Sequence, residues 1–239
     1  FIKMRIFPFI NDKSTAGQDL LNLFFITFNK YVGKSDKNQA FTPDHITDFM
    51  AKICNVNKNS VVLDMTCGSG SFLVRAMTQA LADCHTQAEE DEVKKHHIYG
   101  VEYDELVYGL ATTNMLIHSD GNSNIIQGSC FDEVPRFFAD GVRFNVILMN
   151  PPYNAIAKQV PKDYSRTWGK SKQDPSKGLY FVKFILDQMN EYDMQGKLAV
   201  LLPMACAIGN STLMKQIKKA FLRNNTLDAV FSLPDDVFY

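Results

Sequence analysis

Val61-Val62-Leu63-Asp64-Met65-Thr66-Cys67-Gly68-Ser69-Gly70-Ser71-Phe72 is the stretch that decides the fold. A short β-branched apolar run predicts a buried strand. It stops at an acid, turns through two glycines and gives way to Phe72, Leu73, Ala76, Met77, Ala80, Leu81 and Cys84 at helical spacing. Downstream the same alternation repeats. Strands are expected at 98–101, 124–127, 145–149, 197–202 and 227–233, and helices at 103–118, 179–189 and 211–221, the last capped by Ser211. The polar, charge-rich stretch 85–97 reads as a solvated loop. Upstream, 16–32 places Leu20, Leu21, Phe24, Phe25, Phe28, Tyr31 and Val32 on one helical face. Thr42-Pro43 reads as an N-cap followed by Pro in the first helical position, with Ile46, Phe49, Met50, Ile53 and Cys54 as the buried stripe. Strands alternating with helices predict an α/β fold, a mostly parallel sheet with helices on both faces.

In such sheets ligands bind at the carboxyl ends of the strands. Gly68 and Gly70 let the backbone turn sharply and approach a ligand. The third glycine of a dinucleotide loop is absent, because Leu73 stands there. Asp64 repels a pyrophosphate and welcomes a cationic amino-acid group, which favours S-adenosylmethionine over a dinucleotide. Glu102 ends the second strand, where a carboxylate can accept both hydroxyls of a ribose. After the strand at 145–149 comes Asn150-Pro151-Pro152-Tyr153. Two prolines constrain the backbone and remove two N–H donors. The Asn150 side-chain oxygen and the Pro151 carbonyl can then both accept from an exocyclic amino group, and Tyr153 offers a flat face to a base. Residues 158–177 hold six cations against Asp163 and Asp174, interleaved with Tyr164 and Trp168. Lys158, Lys162, Arg166 and Lys170 suit phosphate contact; the alternative is a solvated loop.

Composition limits the rest. The 239 residues are 46% hydrophobic and 21% charged, with 25 Lys plus Arg against 26 Asp plus Glu. A net charge of −1 excludes a wholesale polybasic binder. No apolar run reaches the roughly 18 residues of a membrane span. Cys54, Cys67, Cys84, Cys130 and Cys206 are odd in number and form no C-x-x-C pair. They predict reduced thiols, no metal site and a cytoplasmic setting.

These motifs resemble those of the adenine-N6 DNA methyltransferases, and in particular the modification subunits of type I restriction-modification systems. Gln39-Ala40-Phe41-Thr42-Pro43 resembles the upstream cofactor motif, and Asp64 to Phe72 the D-P-A-C-G-S-G-x-F loop, with Met65-Thr66 in place of Pro-Ala. The resemblance implies a Rossmann-like class I methyltransferase domain over 39–239, preceded by a helical segment over 1–38. It implies S-adenosylmethionine held by Phe41, Thr42, Asp64, Cys67, Gly68, Gly70 and Glu102, and a catalytic Asn150-Pro151-Pro152-Tyr153. It also implies a flipped-out adenine of double-stranded DNA, with Phe238 as a second aromatic. The partners it implies are a DNA-specificity subunit and a restriction subunit. The family core continues into a further strand beyond 227–233, so the length reads as a C-terminal truncation. One departure stands out: Gly128-Ser129 replaces the family's Gly-Asp, which leaves Ser129 or Asp132 to meet the cofactor's adenine. Three alternatives remain open at this level. They are methyl transfer to an RNA base or a protein glutamine, a non-catalytic subunit of the same fold, and, more remotely, a dehydrogenase.

Overall fold

The computed structural model describes residues 42–118 and 124–234. The helical segment expected within 1–38, and Phe41 and Phe238, lie outside the described residues. Five strands form one sheet: β1 (Val62–Asp64), β2 (Ile98–Glu102), β3 (Asn124–Gln127), β4 (Val146–Met149) and β5 (Lys197–Val200). All neighbours run parallel, in the order β3-β2-β1-β4-β5. Parallel strands need long crossovers, and here helices supply them. The helices are α1 (Asp44–Ile53), α2 (Ser71–Leu81), α3 (Gln87–His96), α4 (Glu105–Ile117), α5 (Cys130–Ala139), the single turn α6 (Lys162–Ser165), α7 (Leu179–Glu191), the short α8 (Met204–Ile208) and α9 (Thr212–Phe221).

The central strands are buried throughout because both faces of the sheet are covered. Their side chains alternate between two layers, as the two-residue period requires. Val62, Val146 and Leu148 join the layer built from α1, α2 and α4, with Met50, Phe72, Leu73 and Met115. Leu63, Ile147 and Met149 join the opposite layer, with Phe137 and Phe138 of α5 and Phe181 and Ile185 of α7. Among the described residues no helix is long and apolar enough to cross a membrane.

Four local expectations are corrected. The stretch 85–97 holds α3 rather than a loop. Its surface is polar on almost every side, with only Val93 buried, so no apolar stripe announces it. It is held instead by a capping box: Thr86 Oγ accepts from Glu89 N–H, and Glu89 Oε2 accepts from Thr86 N–H. Acids in its first turn and bases in its last complement the helix dipole. Second, the sequence reading missed α5, where Pro135 interrupts the hydrogen-bond ladder; burial of Cys130, Val134, Phe137 and Phe138 outweighs that loss. Third, Pro43 rather than Thr42 occupies the N-cap position of α1, since the Thr42 hydroxyl faces Asn150. Finally, 227–233 forms no strand. Among the described residues it has no ladder partner; Phe231 meets Phe49 in a T-shaped contact, Leu233 packs against the core, and Val230 is 64% exposed.

Thr86→Ala should remove the α3 cap and cost about 1 kcal/mol in a urea melt; an unchanged midpoint would refute the role given to the cap.

Candidate active site

The strand order reverses between β1 and β4: the chain steps outward from β1 to β2 and β3, then returns to the other side of β1. At such a switch point the loops diverge and leave a crevice. A cavity of about 410 Å³ lies there, lined from the ends of β1, β2, β3 and β4. It gathers Thr42, Asp64, Cys67, Gly68, Glu102, Ser129, Asn150, Pro151, Pro152, Tyr153 and Lys158, all singled out by the sequence. Gly70 does not line it. At φ +82° it turns the chain into α2, a conformation that favours glycine. Lys162, Arg166 and Lys170 are exposed outside the lining, with Arg166 paired to Asp163 at 3.0 Å. Asp132 is exposed on α5 and lies outside the lining, whereas Ser129 is part of it.

One wall is acidic. Asp64 is 1% exposed, and its Oδ1 accepts from Thr66 N–H at 3.0 Å. Burial, assisted by repulsion from Glu102, pushes its carboxyl up to about 8. Glu102 reaches back to the glycine loop: its Oε2 accepts from Gly68 N–H at 2.9 Å and its Oε1 from Asp104 N–H at 2.8 Å. Burial raises its carboxyl as well. The Tyr103 backbone N–H adds a third donor, which leaves the carboxylate acceptor capacity for a ligand hydroxyl. The thiols of Cys67 and Cys130 at the same wall are driven upward by burial, so they stay protonated.

The other wall carries neutral acceptors. Asn150 Nδ2 donates to Thr42 Oγ at 3.1 Å, and the Tyr153 hydroxyl donates to Asn150 Oδ1 at 2.6 Å. These two contacts set the amide with its nitrogen toward α1 and its oxygen toward Tyr153. A carbonyl oxygen has two lone pairs, so Oδ1 retains capacity for an incoming N–H. Burial pushes the Tyr153 phenol up to about 12, keeping it a donor. The aromatics of 158–177 face inward. Tyr164 and Trp168 are buried, and Tyr164 stacks on Tyr180 with centroids 3.5 Å apart. They pack the interior and offer no face to a base.

Sequence reasoning missed several lining residues. Tyr103 and Asp104 follow Glu102 directly, and Asp104 caps α4. Contiguity with the strand-end acid was the available signal. Gln173 reaches the rim through an antiparallel bridge to Ile156; no local pattern marks such a contact.

Comparison with known proteins adds to this geometry. The pattern of a family described as N-6 DNA Methylase matches residues 18–239. Type II restriction enzyme and methyltransferase RM.BcgI of Heyndrickxia coagulans is 34% identical over 232 residues, covering 95% of this chain. The chain spans only 33% of that relative's length. Among solved structures, a chain assigned as a modification subunit of a type I restriction enzyme from Vibrio vulnificus YJ016 has a TM-score of 0.65 at 23% identity, covering 85% of this chain and 42% of its own. Another, assigned as a class I S-adenosylmethionine-dependent methyltransferase from Listeria monocytogenes, has a TM-score of 0.61 at 15% identity, covering 94% and 65%. At these identities the likeness shows the fold alone: a Rossmann-like α/β fold built on a parallel sheet.

Asp64 has a folded-state value above the ordinary 3.8, so the unfolded chain loses this proton first as pH rises. Stability from this group is full below about pH 4 and is lost as pH climbs toward 8. Asp64→Asn should therefore match the native chain in Tm near pH 4 and exceed it increasingly up to about pH 8. A Tm difference that ignores pH would refute the burial account.

Proposed function

Since the chain belongs to the N-6 DNA methylase family, we propose that it carries the catalytic site of a DNA adenine-N6 methyltransferase working within a restriction-modification system. The observation that carries this reading is the meeting of two walls in one cavity: the buried Asp64 and the half-buried Glu102 line it together with the Asn150–Pro151 acceptor turn. The residues fit S-adenosylmethionine. Asp64, costly to ionise alone, becomes favourable beside a ligand cation. Glu102 offers its remaining acceptor capacity to a ribose hydroxyl, and Gly68 leaves open space beside the ligand, since nothing lies within 4 Å of a Cβ placed there. Ser129, rather than Asp132, stands where the cofactor's adenine would be met. S-adenosylmethionine, when bound, supplies an electrophilic methyl group.

The chain's own residues do the remainder. A target adenine is out of reach inside a duplex and must be flipped out, at a cost of a few kcal/mol. Stacking on the Tyr153 ring returns about 1–3 kcal/mol. Asn150 Oδ1 and the Pro151 carbonyl accept hydrogen bonds from the two N–H groups of the amine. This draws the nitrogen toward tetrahedral geometry and frees its lone pair as a nucleophile. Thr42 acts here through Asn150: by accepting from Nδ2 it presents Oδ1 to the base. Holding the reactants in line supplies much of the rate. Lys158 at the cavity rim contacts a phosphate near the flipped nucleotide, and a DNA-specificity subunit supplies sequence reading. A restriction activity, in a partner or in the same polypeptide, completes the system.

The test combines radiolabelled S-adenosylmethionine, duplex DNA and the full-length protein with its partner subunit. Label recovered as N6-methyladenine supports the reading; label in methylcytosine, RNA or a protein glutamine, or none at all, overturns it. Asn150→Ala should lower kcat/KM by at least about 100-fold while cofactor affinity in calorimetry stays within about twofold; parallel loss of both would sink the assigned role. Lys158→Ala should weaken DNA binding and reduce the salt slope by about one.

A further inference from the structure

Beside the cavity, and outside its lining, lies a second organised centre. The Asp174 side chain is 0% exposed. Its Oδ1 accepts from the Tyr164 hydroxyl and from Ser176 N–H at 2.8 Å. Its Oδ2 accepts from the Ser176 hydroxyl at 2.9 Å and from Gly178 N–H at 3.0 Å. Four donors fill the acceptor capacity of a carboxylate. Such convergence holds a turn more firmly than neutral bonds do.

The turn that Asp174 gathers presses against the base-facing motif. Asp174 N–H donates to the Ala155 carbonyl at 2.7 Å, and Ile156 bridges to Gln173. Lys177 Nζ donates to Asn154 Oδ1 at 3.2 Å. Gly178 sits at φ +95°, and a Cβ there would lie 3.3 Å from Pro151 Cγ and 3.7 Å from Tyr153 Cδ1. Its backbone thus forms part of the seat for both rings. On the far side, the Cys206 thiol donates to the Lys177 carbonyl at 3.4 Å.

We propose that Asp174 is a positioning residue for methyl transfer: it shapes the turn 174–178 that seats Pro151 and Tyr153, and so sets the amine acceptors and the stacking ring at their working positions. Asp174 touches neither base nor cofactor. The proposal rests on the function given above, and it turns part of the basic 158–177 segment from a DNA-contact loop into a brace.

Asp174→Asn tests it in the full-length protein with its partner subunit and duplex DNA. One amide oxygen remains for donors that had two, and the new NH₂ faces N–H groups it cannot accept from. The expected result is a fall in kcat of about 10- to 100-fold, with KM for DNA and cofactor affinity within about twofold. In hydrogen exchange followed by mass spectrometry, peptides spanning 150–156 should exchange faster, while peptides spanning 62–72 should not change. Tyr164→Phe keeps the ring stack, removes one donor and should show the same pattern more weakly, about threefold in kcat; it carries the comparison if Asp174→Asn does not fold. Unchanged kcat in a folded variant, or loosening spread evenly over the chain, overturns the proposal. If the native protein transfers no methyl group, the function above fails. Exchange then decides the brace alone: local loosening at 150–156 supports it, and no change there overturns it.

Discussion

The parallel pairing of β1 with β4 is the constraint on which the site depends. Val62 and Leu63 lie opposite Val146 and Ile147, while β2 occupies the other side of β1. With the strand order reversing at this junction, the loops that leave the two strands part and a crevice opens. Asp64 and Asn150 become neighbours through the sheet, although they are far apart in the chain. The remaining parts attach to that junction. Glu102 arrives on β2 and grips the glycine loop through Gly68 N–H. Thr42 arrives ahead of α1 and meets the Asn150 amide.

The two walls differ in charge, and the difference is costly to the empty protein. A carboxyl as buried as Asp64 is disfavoured in its ionised form, and one backbone N–H from Thr66 offsets only part of the penalty. A fold optimised for stability alone would place an apolar residue there. The opposite wall is neutral and acceptor-rich, because its prolines lack N–H groups and Tyr153 points its own donor at Asn150. A buried acid pair that ionises more readily beside a cation, facing neutral acceptors, suits a cationic donor of a group and an amine that receives it. Neither wall alone would discriminate so well between ligands.

Most of the sheet was legible because parallel strands are buried on both faces and read as continuous apolar runs, as at Val146-Ile147-Leu148-Met149. The glycine loop and the Asn150 turn were legible for a related reason: their residue types are dictated by local backbone demands that travel with the sequence. Errors arose where local signals conflict or are absent. In α3 a capping box outweighs the lack of an apolar stripe, and in α5 a core-facing stripe outweighs Pro135. The apolar segment 227–233 has the composition of a strand, but a strand exists only with a partner, and the described residues provide none.

The sequence by itself determined the class of fold, the order of the strands along the chain, and which residue types end them: Asp64, Glu102 and Asn150. Those follow from periodicity and from glycine and proline stereochemistry, which are local. That the Thr42 hydroxyl meets the Asn150 amide while Pro43 takes the N-cap of α1, and that Tyr164 and Trp168 lie in the core, follows from tertiary contacts alone. The same is true of Asp174, which gathers a turn beneath Pro151 and Tyr153. These contacts join segments whose separation in sequence carries no period. They are settled by which buried donors and acceptors find one another when the sheet closes the space around them.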